Sequence, residues 1–185
     1  MMVFVLVALL AQTGGFPATS DWEAAERAIV RLKPDAFTHL PPAVRTDLNR
    51  RQCTIPQPDS IDGAGPHNVI RGRFTSLSLT DIAVLCSNGG VSTILVYRGG
   101  DTKDVATLAA MADKAFLQTG SAKAIEFSRA ISVASPTQMR IYHEAFGAGR
   151  MPRLDHDGID DAFVGKASIV RYWSGGKWLE LQGAD

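Results

Sequence analysis

The chain is poor in the features that most directly announce an activity. It has no excess of charge, with 19 basic against 19 acidic residues in 185 and no Lys/Arg run. A positive field for nucleic acid or an anionic membrane surface is therefore not expected. It has no P-loop, no G-x-S-x-G and no H-E-x-x-H; His143-Glu144 lacks a second histidine four positions on. There are only two cysteines, with no C-x-x-C pair and none near the N-terminus where a lipid could be attached. Its apolar run, Val3 to Ala11, is too short to span a bilayer as a helix. With 45% of residues hydrophobic, the chain can still bury the core of an ordinary globular domain.

That short run reads instead as an export signal. Small and polar residues, Gln12-Thr13-Gly14-Gly15, follow it, so residues 1–15 are assigned to a signal peptide, with cleavage after Ala11, and 20–185 to a single domain. Met1-Met2 carries no Lys or Arg, which leaves an uncleaved anchor as the alternative. After cleavage no stable membrane insertion is expected, and the location is periplasmic or extracellular. In such a compartment Cys53 and Cys86 are expected to pair. The bond closes a loop of about 34 residues and contributes roughly 3.5 kcal/mol through lost chain entropy.

The densest chemistry lies at Asp155-His156-Asp157-Gly158-Ile159-Asp160-Asp161. In a D-x-D-G-x-x-D spacing alternate carboxylates can face one centre, the glycine allows a sharp bend, and the Ile159 carbonyl can add an oxygen. Asp155, Asp157, Ile159 and Asp161 are thus candidate ligands for calcium. A degenerate copy lies 80 residues earlier, where Gly72 to Val84 aligns with Pro152 to Val164: Asp81 falls on Asp161 and Phe74 on Leu154, while Thr75 and Leu77 replace Asp155 and Asp157. Both segments resemble the FG-GAP repeat of integrin-like propellers, which implies a calcium loop followed by a buried strand. Arg153 stands where that repeat supplies its first acidic ligand. The alternative is that this guanidinium folds over Asp155 or Asp157 and makes the run an ion-paired turn without a metal.

Helices are expected from Ser20 through Leu32, from Pro41-Pro42 to Arg51, over Thr102 to Gln118, and from a capping box at Ser135-Pro136-Thr137-Gln138 to Phe146. Met139, Tyr142 and Phe146 form the apolar stripe of the last. Strands are expected over 68–74, 81–87, 92–98, 124–133, 162–173 and 178–181, with hairpin turns at Asn88-Gly89-Gly90 and Ser174-Gly175-Gly176-Lys177. Two repeat-like segments cannot close a propeller. The expected fold is α+β, an antiparallel sheet of five or six strands with helices packed on one face. The expected role is a non-catalytic interaction or structural domain with an unknown protein or ligand partner. The alternative is a secreted, metal-supported hydrolase centred on His156.

Overall fold

The computed structural model describes residues 17–59, 61, 65–120, 124–147 and 149–184; the expected signal peptide, 1–15, lies outside them. The fold is mixed α+β and strand-rich, with every strand pair antiparallel. Among the described residues, helices α1 (Thr19–Ala28), α2 (Pro42–Arg50) and α3 (Pro136–Phe146) accompany twelve strands. In place of one sheet of five or six strands there are two sheets of four. Sheet I orders β3 (Val69–Gly72), β4 (Asp81–Asn88), β5 (Val91–Tyr97) and β6 (Val105–Ala112) in chain sequence; sheet II runs β12 (Lys177–Gln182), β11 (Ala167–Ser174), β10 (Gly158–Phe163), β9 (Arg129–Ala134). Two short pairs, β1 (Arg31–Leu32) with β2 (Ile55–Pro56) and β7 (Leu117–Thr119) with β8 (Ile125–Phe127), complete the set.

Alternation along β4 and β5 assigns the layers. Ile82, Val84, Cys86, Leu95 and Tyr97 face α2, whose Val44 and Leu48 are fully buried against them. Burying each such aliphatic side chain contributes about 1.5–3 kcal/mol. The intervening residues Ala83, Leu85, Ile94 and Val96 face the other way and pack with Phe74 and with Ile131 and Ile159 of sheet II. The far face of sheet II, through Ala134, Val170 and Tyr172, packs on Met139 of α3. The helices α2 and α3 therefore cover opposite outer faces, not one, and the order of layers is helix, sheet, sheet, helix. Cys53, just after α2, is bonded to Cys86 in β4 with Cα atoms 5.3 Å apart, so the expected disulfide joins the first two layers.

Several local expectations hold in the structure. Gly89-Gly90 and Gly175-Gly176 both take positive φ at the β4–β5 and β11–β12 turns, the backbone that two-residue hairpins require. Ser135 Oγ caps α3 by accepting the Gln138 amide at 3.1 Å. Helix α1 differs in detail: Asp21 caps it by accepting the Ala18 amide at 2.8 Å, and Leu32 belongs to β1, not to the helix. Phe146 is exposed, so the α3 stripe is narrower than expected.

The larger departure is the segment 102–118. Its apolar spacing suits a helix, yet it forms β6, a turn of 3-10 helix at Asp113–Phe116, and the start of β7. A short alanine-rich run fits either period, and the open edge of β5 supplies ladder partners that no isolated helix would have. Similarly, 124–133 divides between β8 and β9, and 162–173 between β10 and β11, the latter turning at Gly165 with φ +77°.

Candidate functional site

The acidic run is less a loop than the start of a strand. Strand β10 begins at Gly158, not at Ala162, and is paired on both sides: Ile159 to Val133 of β9 and Arg171 of β11, Asp161 to Ile131 and Ile169. Gly158 does not bend the chain. An added Cβ there would meet Val170 Cγ1 at 2.6 Å and the Met139 sulfur at 2.8 Å, so the glycine lets α3 lie close on sheet II. Ile159 is buried in the core between the sheets.

Three of the four carboxylates of the run, those of Asp155, Asp157 and Asp161, meet a partner within the protein, while the buried Asp160 Oδ1 has none. Asp161 receives Arg129 Nε and Nη2, both at 2.9 Å, in a two-point ion pair. Arg129 is fully buried; its Nη1 donates to the carbonyl and hydroxyl of Ser92 and its Nη2 to the carbonyl of Ala109, so all five N–H groups are used across the seam between the sheets. The Ala109 carbonyl is available because β6 bulges there, with φ +53° at Ala109 and a register shift opposite Ser92 and Ile94. Asp157 accepts the amide of Arg73 at 2.9 Å and returns its own amide to the Arg73 carbonyl at 3.1 Å, which ties the acidic run to its degenerate copy. Asp155 pairs with Arg153 at 3.3 Å, but that guanidinium is 88% exposed. Asp160 points to the α3 side, where burial first, and the charge of Asp161 second, push its carboxyl above the ordinary range against the opposing effect of Ser168. Among the described residues no three or more His, Cys, Asp or Glu side chains gather as a metal-holding group.

Tyr172 holds the preceding segment. Its hydroxyl donates to the Arg153 carbonyl at 2.9 Å, stands 3.2 Å from Asp155 Oδ1 and accepts the Asp155 amide at 3.1 Å. Burial pushes the phenol pKa up, so it stays a protonated donor. His156 stacks on the Tyr172 ring at 4.5 Å and its Nδ1 lies 3.1 Å from the Asp157 carbonyl oxygen. A carbonyl can only accept, so Nδ1 is the donor there, and Nε2 stands 3.9 Å from Asp155 Oδ1. A cavity of about 350 Å³ opens here, lined by His156, Asp155 and Arg153 on one side and by Thr75, Ser76 and Trp173 on the other.

The sequence reading did not single out Arg129 or Asn68. Asn68 is buried with φ +70°; its side chain donates to the Pro56 and Arg129 carbonyls and accepts the Ile131 amide, a second polar tie across the seam. The available signal was an arginine inside an otherwise uncharged strand pattern, Phe127-Ser128-Arg129-Ala130-Ile131, which demands a counter-charge when buried. Comparisons of the chain with protein-family models, with curated proteins and with solved structures give no match.

Proposed function

We propose that this is an exported, non-catalytic interaction or structural domain, spanning residues 20–185, in which arginines and backbone amides supply the positive partners that calcium supplies in the repeats the acidic run resembles. The observation that carries this reading is the Arg129–Asp161 pair, because the carboxylate at the end of the run is taken up by a buried guanidinium that bridges both sheets. Calcium held by Asp155, Asp157, Ile159 and Asp161 would require Asp161 to abandon that partner and leave an unpaired charge in the core. Export is supported by the Cys53–Cys86 bond, which an oxidising compartment favours, and is compatible with the finding that no described helix is long and apolar enough to cross a membrane.

The experiment is mass spectrometry of the protein from the cell envelope or medium, with peptide mapping under non-reducing conditions. Loss of about eleven to fifteen N-terminal residues and a Cys53–Cys86 cross-link are expected. Intact Met1 on protein in the cytoplasm would overturn the proposal.

A second reading, a metal-supported hydrolase around His156, is favoured by one observation: the His156 imidazole shares a cavity with Asp155. Zinc-dependent hydrolysis of ester or peptide substrates that is lost in His156→Ala, with unchanged folding, would establish it in place of the first.

A further inference from the structure

Sheets I and II end on four edge strands, and three of them are guarded. Strand β12 carries Lys177 and Glu180, β3 is four residues long and carries Arg71, and on β9 the Ile131 amide and the Arg129 carbonyl are taken by the Asn68 side chain. Charges, short length and covering contacts of this kind keep an edge from pairing with another chain. The fourth edge, β6, is eight residues long, Val105-Ala106-Thr107-Leu108-Ala109-Ala110-Met111-Ala112, with no charge and no proline. Among the described residues no strand pairs with its outer side. The bulge at Ala109, whose carbonyl turns in to Arg129, interrupts the ladder at mid-strand, which leaves residues 105–108 as the open stretch.

Apolar surface lies open on both sides of this strand. Thr107, paired with Leu95, faces the α2 side, where a cavity of about 490 Å³ is lined in part by Val91, Thr93 and Leu95. Met111, paired with Ser92, faces sheet II, where a cavity of about 360 Å³ is lined in part by Phe116, Phe163 and Ile169. Val91 and Met111 are 44% and 45% exposed. Side chains of a strand added to β6 would point alternately toward the two cavities, while its backbone met the outward amides and carbonyls of the open stretch. The charge pattern selects which strand. When an edge pairs antiparallel with its own copy, each residue near the two-fold axis meets itself or a close neighbour, so a charged edge repels itself. Strand β6 has no charge along its whole length to repel a copy.

We propose that β6 pairs antiparallel with β6 of a second copy of this chain, which joins two four-stranded copies of sheet I into one continuous sheet about a two-fold axis. An axis normal to the sheet keeps the α2 sides of both copies together, so residues of like facing must pair. The axis therefore passes through Ala106 or Thr107, not between them. In either register Asp104, just before the strand, falls opposite an uncharged residue of the other copy, Leu108 or Ala110. The second copy supplies the hydrogen bonds that residues 105–108 lack and shields the apolar surface beside them. The ladder is short, so the association belongs to the weak, transient class. The inference is independent of export and of how the acidic run and the His156 cavity are read.

The test is sedimentation equilibrium of the purified protein at concentrations up to about 1 mM, which should show reversible dimerisation. Amide exchange at residues 105–108 should slow as the concentration rises. Thr107 is exposed, so Thr107→Lys and Thr107→Glu should leave the fold intact, which an unchanged melting temperature at low concentration checks. Each variant alone sets like charges across the axis and should weaken the dimer at least about fivefold. Mixed in equal amounts, the two should recover a heterodimer at least as tight as the wild type, a rescue that a merely structural defect would not give. A wild type that stays monomeric, an unweakened dimer in Thr107→Lys, or no recovery in the mixture would overturn the proposal. Protection of residues 105–108 by an added extended peptide, in a wild type that stays monomeric, would assign the edge to a foreign strand instead.

Discussion

Residues 72–84 and 152–164 share a pattern, and both carry an aspartate in a strand, yet the two aspartates work at different ranges. Asp81 opens β4, fully buried, and accepts the Thr75 amide and hydroxyl and the Gly99 amide, each at 2.8 Å. Its partners are neutral and, for Thr75, only six residues away. Asp161 lies inside β10 and takes a guanidinium from β9 that reaches on into β5 and β6. The first aspartate shapes a local turn and the second holds two sheets together. Equivalent positions in a weak repeat therefore do not carry equivalent energies: replacing neutral donors by a buried charge converts a turn residue into one that depends on a distant strand.

The largest expected effect is at that buried pair. Asp161→Ala leaves Arg129 charged and unpaired in the seam, and should lower the unfolding free energy in urea by about 3–5 kcal/mol. The second distinction is covalent, since β4 is bonded to the segment after α2 and β10 has no such bond. Cys86→Ser should cost about 2–4 kcal/mol. Asp81→Ala should cost less than Asp161→Ala, about 1–3 kcal/mol, because the amides it abandons are neutral. If the two aspartate variants lose equal stability, the contrast between local and long-range roles is wrong.

A subtler difference is that Asp160 in the second segment stands where the first has Thr80. The Asp160 carboxyl is pushed above its ordinary 3.8 by burial first and by Asp161 next, so folding favours the protonated form. Its contribution to stability is present below that ordinary value and is lost as pH rises through the folded value. Asp160→Asn should remove this loss, so urea unfolding across the acidic range will show a gain over wild type that grows with pH and then levels off. The smallest effect is at the surface. Arg153→Ala should change stability by less than about 1 kcal/mol, as befits an exposed pair. Millimolar calcium should leave the melting temperature unchanged, and a saturable rise would return Asp155, Asp157 and Asp161 to the role of calcium ligands.

Much of the outer frame was legible. The capped α3, the proline start of α2, the glycine hairpins and the cysteine pair follow from local chemistry that tertiary contacts leave in place. Strand β6 was not legible, because Val105-Ala106-Thr107-Leu108 fits helix and strand equally and only the edge of β5 decides. Nor was the start of β10. Aspartates are poor strand formers, and nothing local indicates that Arg129, 32 residues before Asp161, neutralises one of them from the neighbouring strand. The acidic run was visible as chemistry, while the buried partner of Asp161 was visible only as a lone arginine in an otherwise uncharged pattern.

Arg129 also acts as a check on alignment. Its acceptors sit on β5, at the bulge of β6 and on β10, so its hydrogen bonds are complete in one register of three strands at once. A slip of β9 by a single residue would turn the guanidinium to the α3 side and leave Asp161 and two backbone carbonyls bare in a dry interface. The same slip would carry Ile131 out of the core between the sheets, so the apolar pattern and the polar one oppose it together. Here a near-miss assembly is penalised as a whole, and the docked pair of sheets has one arrangement to settle into.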